Sequence, residues 1–333
     1  MSERIDQALQ LLNRTARLLK DDSIKQKVES LYQEIKMYCV YPKTKVSLCG
    51  KFNAGKSALI NAILNNKVVI SRAIPSTGVI TRIYYNGKES YSVVKNENGR
   101  DVSVPFSGEN LGDVTVKDNF NQSENVRGIV RVDIGIPNDL LKGDVELYDT
   151  PGLEDADNNM DIITMNHLDQ SDFIVFVVDC LQLKDLKELL MRYYKRKGKN
   201  VIFVANKMDA LYDYEQKEIV DLAKVYFSEY YNPITFTSDI FFVSAKTSDT
   251  QIDKLASYCK QVVFKNAKKV ATISRLSTIK YELQNIYDEL KQFPETELDK
   301  KCQWVLRNDK NTLSQALIKL IELIKNAQLQ ELC

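Results

Sequence analysis

Histidine is almost absent from this chain, and no cysteines are spaced to bind a metal ion. The 333 residues include one histidine, His167, and six cysteines, none of which form a C-x-x-C pair. A structural zinc site needs several such ligands close together. The sequence therefore predicts no zinc site, and it favours reduced thiols in a cytosol.

Long apolar runs and an excess of charge of one sign are also missing. The longest apolar run, residues 173–178, is far shorter than a membrane-spanning helix. The N-terminal MSERIDQALQLLNR does not have the apolar centre of a signal peptide. The net charge is +1, with 46 basic and 45 acidic residues, so charge gives no reason to expect nucleic acid as a partner. We expect a cytoplasmic protein that contacts a membrane only peripherally, if at all.

Apolar residues make up 44% of the chain, and their spacing divides it into three parts. Residues 4–38 carry apolar side chains at intervals of three and four, which predicts one helix or two. Residues 41–265 alternate short apolar runs with amphipathic stretches, which predicts an α/β domain with a mainly parallel sheet. Residues 266–333 turn helical again. Because neither end can bury its apolar stripe alone, we expect residues 1–40 and 266–333 to form a helical neck bundle.

Seven short apolar runs in the α/β part predict strands, and the stretches between the later ones predict helices. The polar residues 86–125, rich in Asn, Gly, Ser and Glu, predict a hairpin with a loop. The predicted strands are residues 45–49, 80–85, 130–135, 145–148, 173–178, 201–205 and 241–243, and two of the predicted helices are residues 184–197 and 214–230.

The sequence GKFNAGKS, from Gly50 to Ser57, follows the first predicted strand and precedes a helical pattern. It is the G-x-x-x-x-G-K-S pattern of a phosphate-binding loop (P-loop), whose backbone N–H groups point at phosphate oxygens. Lys56 would reach the β- and γ-phosphates, and the Ser57 hydroxyl would bind Mg²⁺. The predicted nucleotide-binding residues here are Gly50, Asn53, Ala54, Gly55, Lys56, Ser57 and Ala58.

A second motif indicates which nucleotide base is bound. The sequence NKMD, residues 206–209, follows another predicted strand. Its carboxylate can accept two hydrogen bonds from guanine, and adenine offers no such pair of donors, so GTP is expected rather than ATP. Asn206 could bridge the guanine and the P-loop, and the Lys207 stem could lie along the base plane. The predicted guanine-binding residues are Asn206, Lys207 and Asp209, with Ser244, Ala245 and Lys246 offering a backbone N–H to guanine O6.

Two further segments would surround the γ-phosphate. In the sequence DTPG, which follows the strand 145–148, Asp149 would hold Mg²⁺ through water and the Gly152 N–H would contact the γ-phosphate. Thr77, in the loop before the strand 80–85, is well placed to bind the same Mg²⁺. Thr81 is the alternative for that role. The predicted metal ligands are therefore Ser57, Thr77 and Asp149.

These segments together resemble the dynamin superfamily, in particular the bacterial dynamin-like proteins. The resemblance covers about residues 40–265 and is carried by GKFNAGKSALINAIL, KVVISRAIPSTGVITRIYY, IPNDLLKGDVELYDTPGLED and NKMD. It implies a helical neck built from both ends of the chain and dimerisation through the nucleotide-binding face, which stimulates hydrolysis. It also implies binding and remodelling of membranes.

The chain departs from the family pattern in two ways. Family members continue into a long helical stalk, so we expect either a piece of a longer protein or a short form that borrows its stalk from a second dynamin-like subunit. The dimer would then be a homodimer or a heterodimer. Where relatives carry Ser or Arg in the P-loop, this chain has Asn53, so the loop supplies no arginine finger.

Hydrolysis has no obvious water-orienting side chain. Leu153 stands where Ras-like GTPases carry a glutamine. Asn53 could hold a water or a monovalent cation near the β–γ bridge, or it could only shape the loop. Arg72 and Arg82 are expected to be ordinary solvated charges. The expected catalytic residues are Lys56, Ser57, Thr77, Gly152 and Asn53.

Three hypotheses follow from these observations. The first is a GTPase whose dimerisation cycle moves the neck in membrane remodelling. The second is a GTPase of the ribosome-assembly type. Residues 266–333 hold 11 basic against 9 acidic residues with no interleaved aromatic platform, so support for an attached RNA-binding module is weak. The third is a low-activity GTP-binding subunit that serves as an assembly partner for another dynamin-like chain.

Overall fold

The computed structural model describes residues 43–70, 79–97, 99–115, 128–153, 158–185, 200–228, 240–247 and 250–292, with a few single residues between 10 and 36. The chain divides into two compact units. One is Lys43–Val270, and the other combines Met1–Pro42 with Ala271–Cys333. The sheet and the site described below belong to the first unit.

Nine strands of the described residues form one sheet in the order β4-β3-β5-β2-β6-β1-β7-β8-β9. Five neighbouring strands, from β6 to β9 in this order, run parallel, so their carboxyl ends meet at one edge. The strands are β1 (Thr44–Cys49), β2 (Ile80–Tyr85), β3 (Ser90–Glu97), β4 (Arg100–Pro105), β5 (Ile129–Ile136), β6 (Val145–Asp149), β7 (Phe173–Asp179), β8 (Asn200–Asn206) and β9 (Ile240–Phe242).

The other four strands extend the sheet on one side. β2 lies between β6 and β5, antiparallel to the first and parallel to the second. β3 and β4 form an antiparallel hairpin whose first strand pairs with β5. The hairpin occupies the polar stretch for which a hairpin and loop were predicted, and the prediction of an α/β domain with a mainly parallel sheet is confirmed.

Helices cover both faces of the sheet, and β7 shows why. Every residue of β7 is buried. Phe173, Val175 and Val177 join one apolar cluster, whereas Ile174, Phe176 and Val178 join a second. Such a continuous apolar strand is typical of a parallel sheet buried on both faces. The helices are α1 (Lys56–Leu64), α2 (Leu111–Thr115), α3 (Asn158–Asp169), α4 (Asp213–Ser228), α5 (Thr250–Tyr258) and α6 (Ala267–Gln292).

Each face has its own helices. Leu59 and Ile60 of α1 and Leu255 of α5 pack in the first cluster. Leu168 of α3 and Ala223 of α4 pack in the second. The helix α3 was not predicted, because its apolar residues do not keep to one buried stripe: Ile162 and Ile163 are 57% and 43% exposed. Within the described ranges, no helix combines the length and the apolar character needed to cross a bilayer.

The ends of the chain are described only in part. α6 begins one residue after the predicted start of the C-terminal helical segment. Residues 186–197 of the predicted helix 184–197, the C-terminal residues 293–333 and most of residues 4–38 lie outside the described residues. The neck bundle therefore stays a prediction.

Candidate functional site

The predicted P-loop joins β1 to α1 and lies against two other motifs. A Cβ on Gly55 would lie 2.2 Å from Asn206 Nδ2, and Gly55 has a φ of +92°, so no other residue fits here. A Cβ on Gly152 would lie 2.8 Å from the backbone of Phe52. The glycines thus allow the guanine motif and the DTPG segment to approach the loop closely.

Lys56 lies in the first turn of α1 and is buried. Its Nζ donates to the carbonyl oxygens of Gly50 and Lys51, each at 3.1 Å. These bonds place a positive charge inside the turn of the loop, where phosphate oxygens would bind. Asn53, at the exposed tip of the loop, has a left-handed φ of +62°, which is uncommon outside glycine.

Ser57 and Asp149 meet beside Lys56. The Ser57 hydroxyl donates to Asp149 Oδ2 at 2.5 Å. Asp149 Oδ1 is buried, and no hydrogen-bond donor of the described residues reaches it. Burial raises the pKa of Asp149 to about 6, although the Ser57 hydrogen bond and the charge of Lys56 oppose this rise. A hydroxyl beside a buried carboxylate with a vacant acceptor oxygen fits the oxygen ligands that Mg²⁺ prefers.

Of the two threonines proposed to bind Mg²⁺, the structure describes Thr81 and not Thr77. Thr77 and Arg72 lie outside the described residues. Thr81 is buried in β2 and is paired with Asp149 across the strands β2 and β6. Directly opposed residues share one face of a sheet, with Cβ atoms about 5 Å apart. The alternative threonine is therefore a close neighbour of the Ser57–Asp149 pair.

The DTPG segment is fastened to β1. The Thr150 hydroxyl donates to the carbonyl of Leu48 at 2.8 Å, and the Leu153 N–H donates to the carbonyl of Gly50 at 3.1 Å. The Leu153 side chain has no exposed surface and packs in the apolar cluster that contains Leu168. It points into the core and could not contact an attacking water.

The guanine motif is joined to the P-loop through Asn206, the last residue of β8. Its Nδ2 donates to the carbonyl of Ala54 at 2.9 Å, and its Oδ1 accepts from the Ala245 N–H at 3.0 Å. The Asp209 N–H donates to the Ser244 hydroxyl at 2.9 Å. One amide side chain thus ties together three segments that are far apart in the sequence.

Lys207 contacts two residues that the sequence analysis did not single out, Asp179 and Cys180. Asp179 is the last residue of β7, which lies next to β8 in the sheet, and Cys180 comes directly after it. The available signal was an acidic residue ending an apolar strand at the same edge as the guanine motif. Of the predicted site residues, all except Thr77 are described, and they gather at the carboxyl ends of β1, β6, β8 and β9.

Arg82 is not a solvated charge, and that expectation was wrong. Its side chain is 20% exposed. It donates to both oxygens of Asp133, at 2.9 and 2.7 Å, and lies 3.4 Å from Glu146. Arg131 also donates to Asp133, at 2.9 Å. These residues alternate along three neighbouring strands, so their charges meet on one face of the sheet and hold β2 between β5 and β6.

A second polar chain runs beside Tyr148, the residue before Asp149. The Tyr148 ring packs on His167 of α3 at 4.5 Å between ring centroids. His167 Nε2 lies 3.1 Å from the Ser47 hydroxyl, which lies 2.7 Å from the Ser171 hydroxyl. Ser171 in turn donates to the carbonyl of His167. The chain is satisfied throughout when His167 is neutral and protonated at Nε2.

Comparison with known proteins agrees with this geometry. The sequence model of the dynamin family matches residues 46–208. The chain is 31% identical over 204 residues to an uncharacterized protein in the xynA 3′ region of Caldicellulosiruptor sp. (strain Rt8B.4), covering 61% of this chain and 48% of that protein. It is 26% identical over 233 residues to dynamin-like protein 2 of Campylobacter jejuni, covering 64% and 37%. The chain thus spans half or less of the length of these relatives.

A solved structure shares the fold. One chain of an oligomerised bacterial dynamin pair, described as sensing and tethering membranes at long range, superposes with a TM-score of 0.51 at 18% identity. The match covers 98% of this chain and 52% of that chain. The two chains therefore share a fold.

Proposed function

This chain carries a GTPase domain of the dynamin family, and we propose that it binds GTP with Mg²⁺ and hydrolyses it to GDP and phosphate. One observation carries the proposal. The Asn206 side chain bonds the P-loop at Ala54 and the segment after β9 at Ala245, so the phosphate and base motifs form one site. A chance P-loop sequence would have no reason to meet a guanine motif in this way.

The chain's own residues have separate roles in this proposal. Lys56 neutralises the β- and γ-phosphates, and the backbone of Ala54, Gly55 and Ala58 surrounds them. Mg²⁺ would be held by the Ser57 hydroxyl and, through water, by Asp149, and it would neutralise charge developing on the phosphate oxygens. The Gly152 N–H contacts the γ-phosphate. On the base side, the Asp209 carboxylate accepts from guanine, and the Lys246 backbone lies near O6.

Hydrolysis also needs a group that orients the attacking water. Leu153 is buried, and Arg82 is held by two carboxylates, so neither reaches the γ-phosphate. We propose that dimerisation through the nucleotide-binding face, as a homodimer or with a second dynamin-like subunit, orders the segments around Thr77 and Gly152. Asn53 holds a water or a monovalent cation there. Tyr212 and Tyr214 support this proposal, because they are 72% and 63% exposed beside the guanine motif.

What GTP hydrolysis drives is proposed from the family resemblance. Residues 1–40 and 266–333 form a neck whose movement follows the dimerisation cycle, and the protein acts at a membrane that it contacts peripherally. The similarity to a member of a membrane-tethering bacterial dynamin pair supports this proposal.

Phosphate release tests the enzymatic proposal directly. The wild-type chain with GTP and Mg²⁺ is compared with Lys56→Ala, which loses the charge at the β- and γ-oxygens and should lose hydrolysis and most triphosphate affinity. Lys254→Ala, which changes an exposed lysine of α5, is the matched control. Wild-type turnover by Lys56→Ala would show that the site has been misplaced.

A second candidate is a GTP-binding assembly subunit with little activity of its own. It is favoured by the burial of Leu153, which leaves the position of the water-orienting glutamine without a polar side chain. A turnover number that stays low at every protein concentration, with GTP binding intact, would support this candidate.

A further inference from the structure

The lysine of the guanine motif is held from two directions by the end of β7. Lys207 Nζ lies 2.6 Å from Asp179 Oδ2. Its backbone carbonyl accepts a hydrogen bond from Cys180 Sγ at 3.2 Å. Asp179 and Cys180, which are consecutive at the end of β7, therefore hold both the ammonium group and the backbone carbonyl of Lys207, which follows β8.

We propose that Asp179 and Cys180 are positioning residues for the guanine ring, which they serve by holding Lys207 along the plane of the base. The inference rests on the proposed guanine-nucleotide binding and deepens it, since it concerns how the base pocket is preformed. Neither residue needs to touch the nucleotide.

The register of the sheet makes Asp179 a rigid support. Asp179 is directly paired with Asn206, the last residue of β8, so its carboxylate lies beside Lys207. Its Oδ1 accepts from the Leu181 N–H at 3.0 Å, which leaves Oδ2 for the ammonium group. Asp179 is 8% exposed, so the ion pair is largely shielded from water on the side of the carboxylate.

A free lysine side chain would lose much rotamer freedom on stacking along a base. Because the ion pair already holds the end of the side chain in place, the base does not have to order it on binding, and preorganisation of this kind strengthens affinity. The ammonium group also keeps a counter-charge, so the apolar stem rather than the charge faces the ring.

Cys180 acts on the backbone. Lys207 has a φ of +66° and a ψ of 33°, a left-handed conformation that is unfavourable outside glycine. Burial, with the negative charge of Asp179, raises the pKa of the Cys180 thiol to about 11, so the thiol keeps its proton at neutral pH and can donate. Its bond to the Lys207 carbonyl helps to maintain the turn that leads to Asp209.

A double-mutant cycle measured by binding separates positioning from folding. The affinities for fluorescent GDP and for the inosine analogue IDP are measured for the wild type, Asp179→Asn, Lys207→Ala and the double variant. Asp253→Asn, an exposed carboxylate on α5, is the control. We expect Asp179→Asn to weaken GDP about tenfold. The GDP-to-IDP ratio should not change, because a contact with the ring plane does not depend on the exocyclic amine.

In the Lys207→Ala background, Asp179→Asn should change the GDP affinity by less than about twofold, since its effect acts through Lys207. Asp179→Glu, whose carboxylate can still reach the ammonium, should recover most of the affinity and covers the case in which Asp179→Asn does not fold. Cys180→Ser should bind like the wild type, and Cys180→Ala should bind more weakly.

Either of two results would overturn this inference without overturning the proposed function. One is wild-type GDP binding by Asp179→Asn, and the other is an equal loss with and without Lys207. A wild-type chain that binds no GDP would overturn the proposed function as well, so the two failures can be told apart.

Discussion

Thr81 is paired with Asp149 across the antiparallel strands β2 and β6, and both side chains belong to the face of the sheet that α1 covers. Asp149 accepts from Ser57 on that face. Arg82, the next residue along β2, is held on the opposite face by Asp133 and Glu146. The position of Thr81 relative to the Ser57–Asp149 pair is thus fixed by the strand pairing.

This pairing predicts that Thr81 contributes to hydrolysis. Thr81→Val keeps the β-branched shape that suits a strand and removes only the hydroxyl. We expect turnover to fall at least about tenfold with GDP affinity nearly unchanged, as for a group that acts in the transition state. Thr77→Val is the matched comparison. Wild-type turnover by Thr81→Val together with a loss in Thr77→Val would return the role to Thr77.

Base selectivity should depend on Asp209. Its carboxylate matches two guanine donors, and its backbone is fixed by Ser244. ATP should therefore bind at least about a hundredfold more weakly than GTP, because adenine leaves the carboxylate unpaired. Asp209→Asn should weaken guanine binding and reduce this preference. Equal displacement of a fluorescent guanine nucleotide by ATP and GTP would contradict the prediction.

Activity should rise with protein concentration. With Leu153 buried, a monomer should hydrolyse GTP slowly, and GDP with aluminium fluoride should trap a dimer that light scattering detects. Asp213, at the start of α4 beside the guanine motif, is a candidate for reaching across the dimer. Asp213→Arg should then lower turnover at high concentration without changing the melting temperature. Asp221→Arg, on the same helix, is the control.

A monomer in all nucleotide states, with turnover independent of concentration, would rule out self-dimerisation. The choice would then lie between activation by a different dynamin-like chain and the low-activity assembly subunit. Adding a partner chain and measuring turnover would decide between these two.

Acid should destabilise the domain through His167. Burial, together with the charges of Lys45 and Arg131, lowers the pKa of His167 to about 3. The unfolded chain takes up a proton near pH 6.5, whereas the folded chain stays neutral, so stability is present above pH 6.5 and is lost as the pH falls toward 3. Between pH 7 and 5 the loss should be about 1–2 kcal/mol.

Urea denaturation at pH 7, 6 and 5 isolates this loss as the difference between the wild type and His167→Gln. Asp149, whose raised pKa of about 6 gives the opposite pH dependence, is present in both proteins. Around the ring lie Tyr148, whose hydroxyl donates to Glu146, and the hydroxyls of Ser47 and Ser171. An unchanged pH dependence in His167→Gln would assign the loss to other groups.

Much of the sheet could be predicted from the sequence because its strands are buried. The run Phe173–Asp179 is apolar on both faces, and only a central parallel strand accounts for that pattern in so few residues. The P-loop and NKMD motifs also predicted where the nucleotide residues meet, since both follow strands whose carboxyl ends share one edge.

What could not be predicted depends on contacts across the sheet. Arg82 looks like a surface charge in its own segment, and its partners Asp133 and Glu146 are 51 and 64 positions away. The strand order brings them together, and no local period reveals that order. The same holds for Asp179, which matters only because β7 and β8 are neighbours.

Leu153 donates its N–H to the P-loop while its side chain is fully enclosed by apolar neighbours. A glutamine placed there would bury an amide in the core rather than present it to the nucleotide, so no single substitution at this position gives the chain a Ras-like catalytic group. Under the proposed dimerisation, the lifetime of the GTP-bound state is a property of an encounter and not of the isolated molecule. On a surface where copies or partners crowd together the state would be brief, and where they are sparse it would persist, so the GTPase itself would report local density.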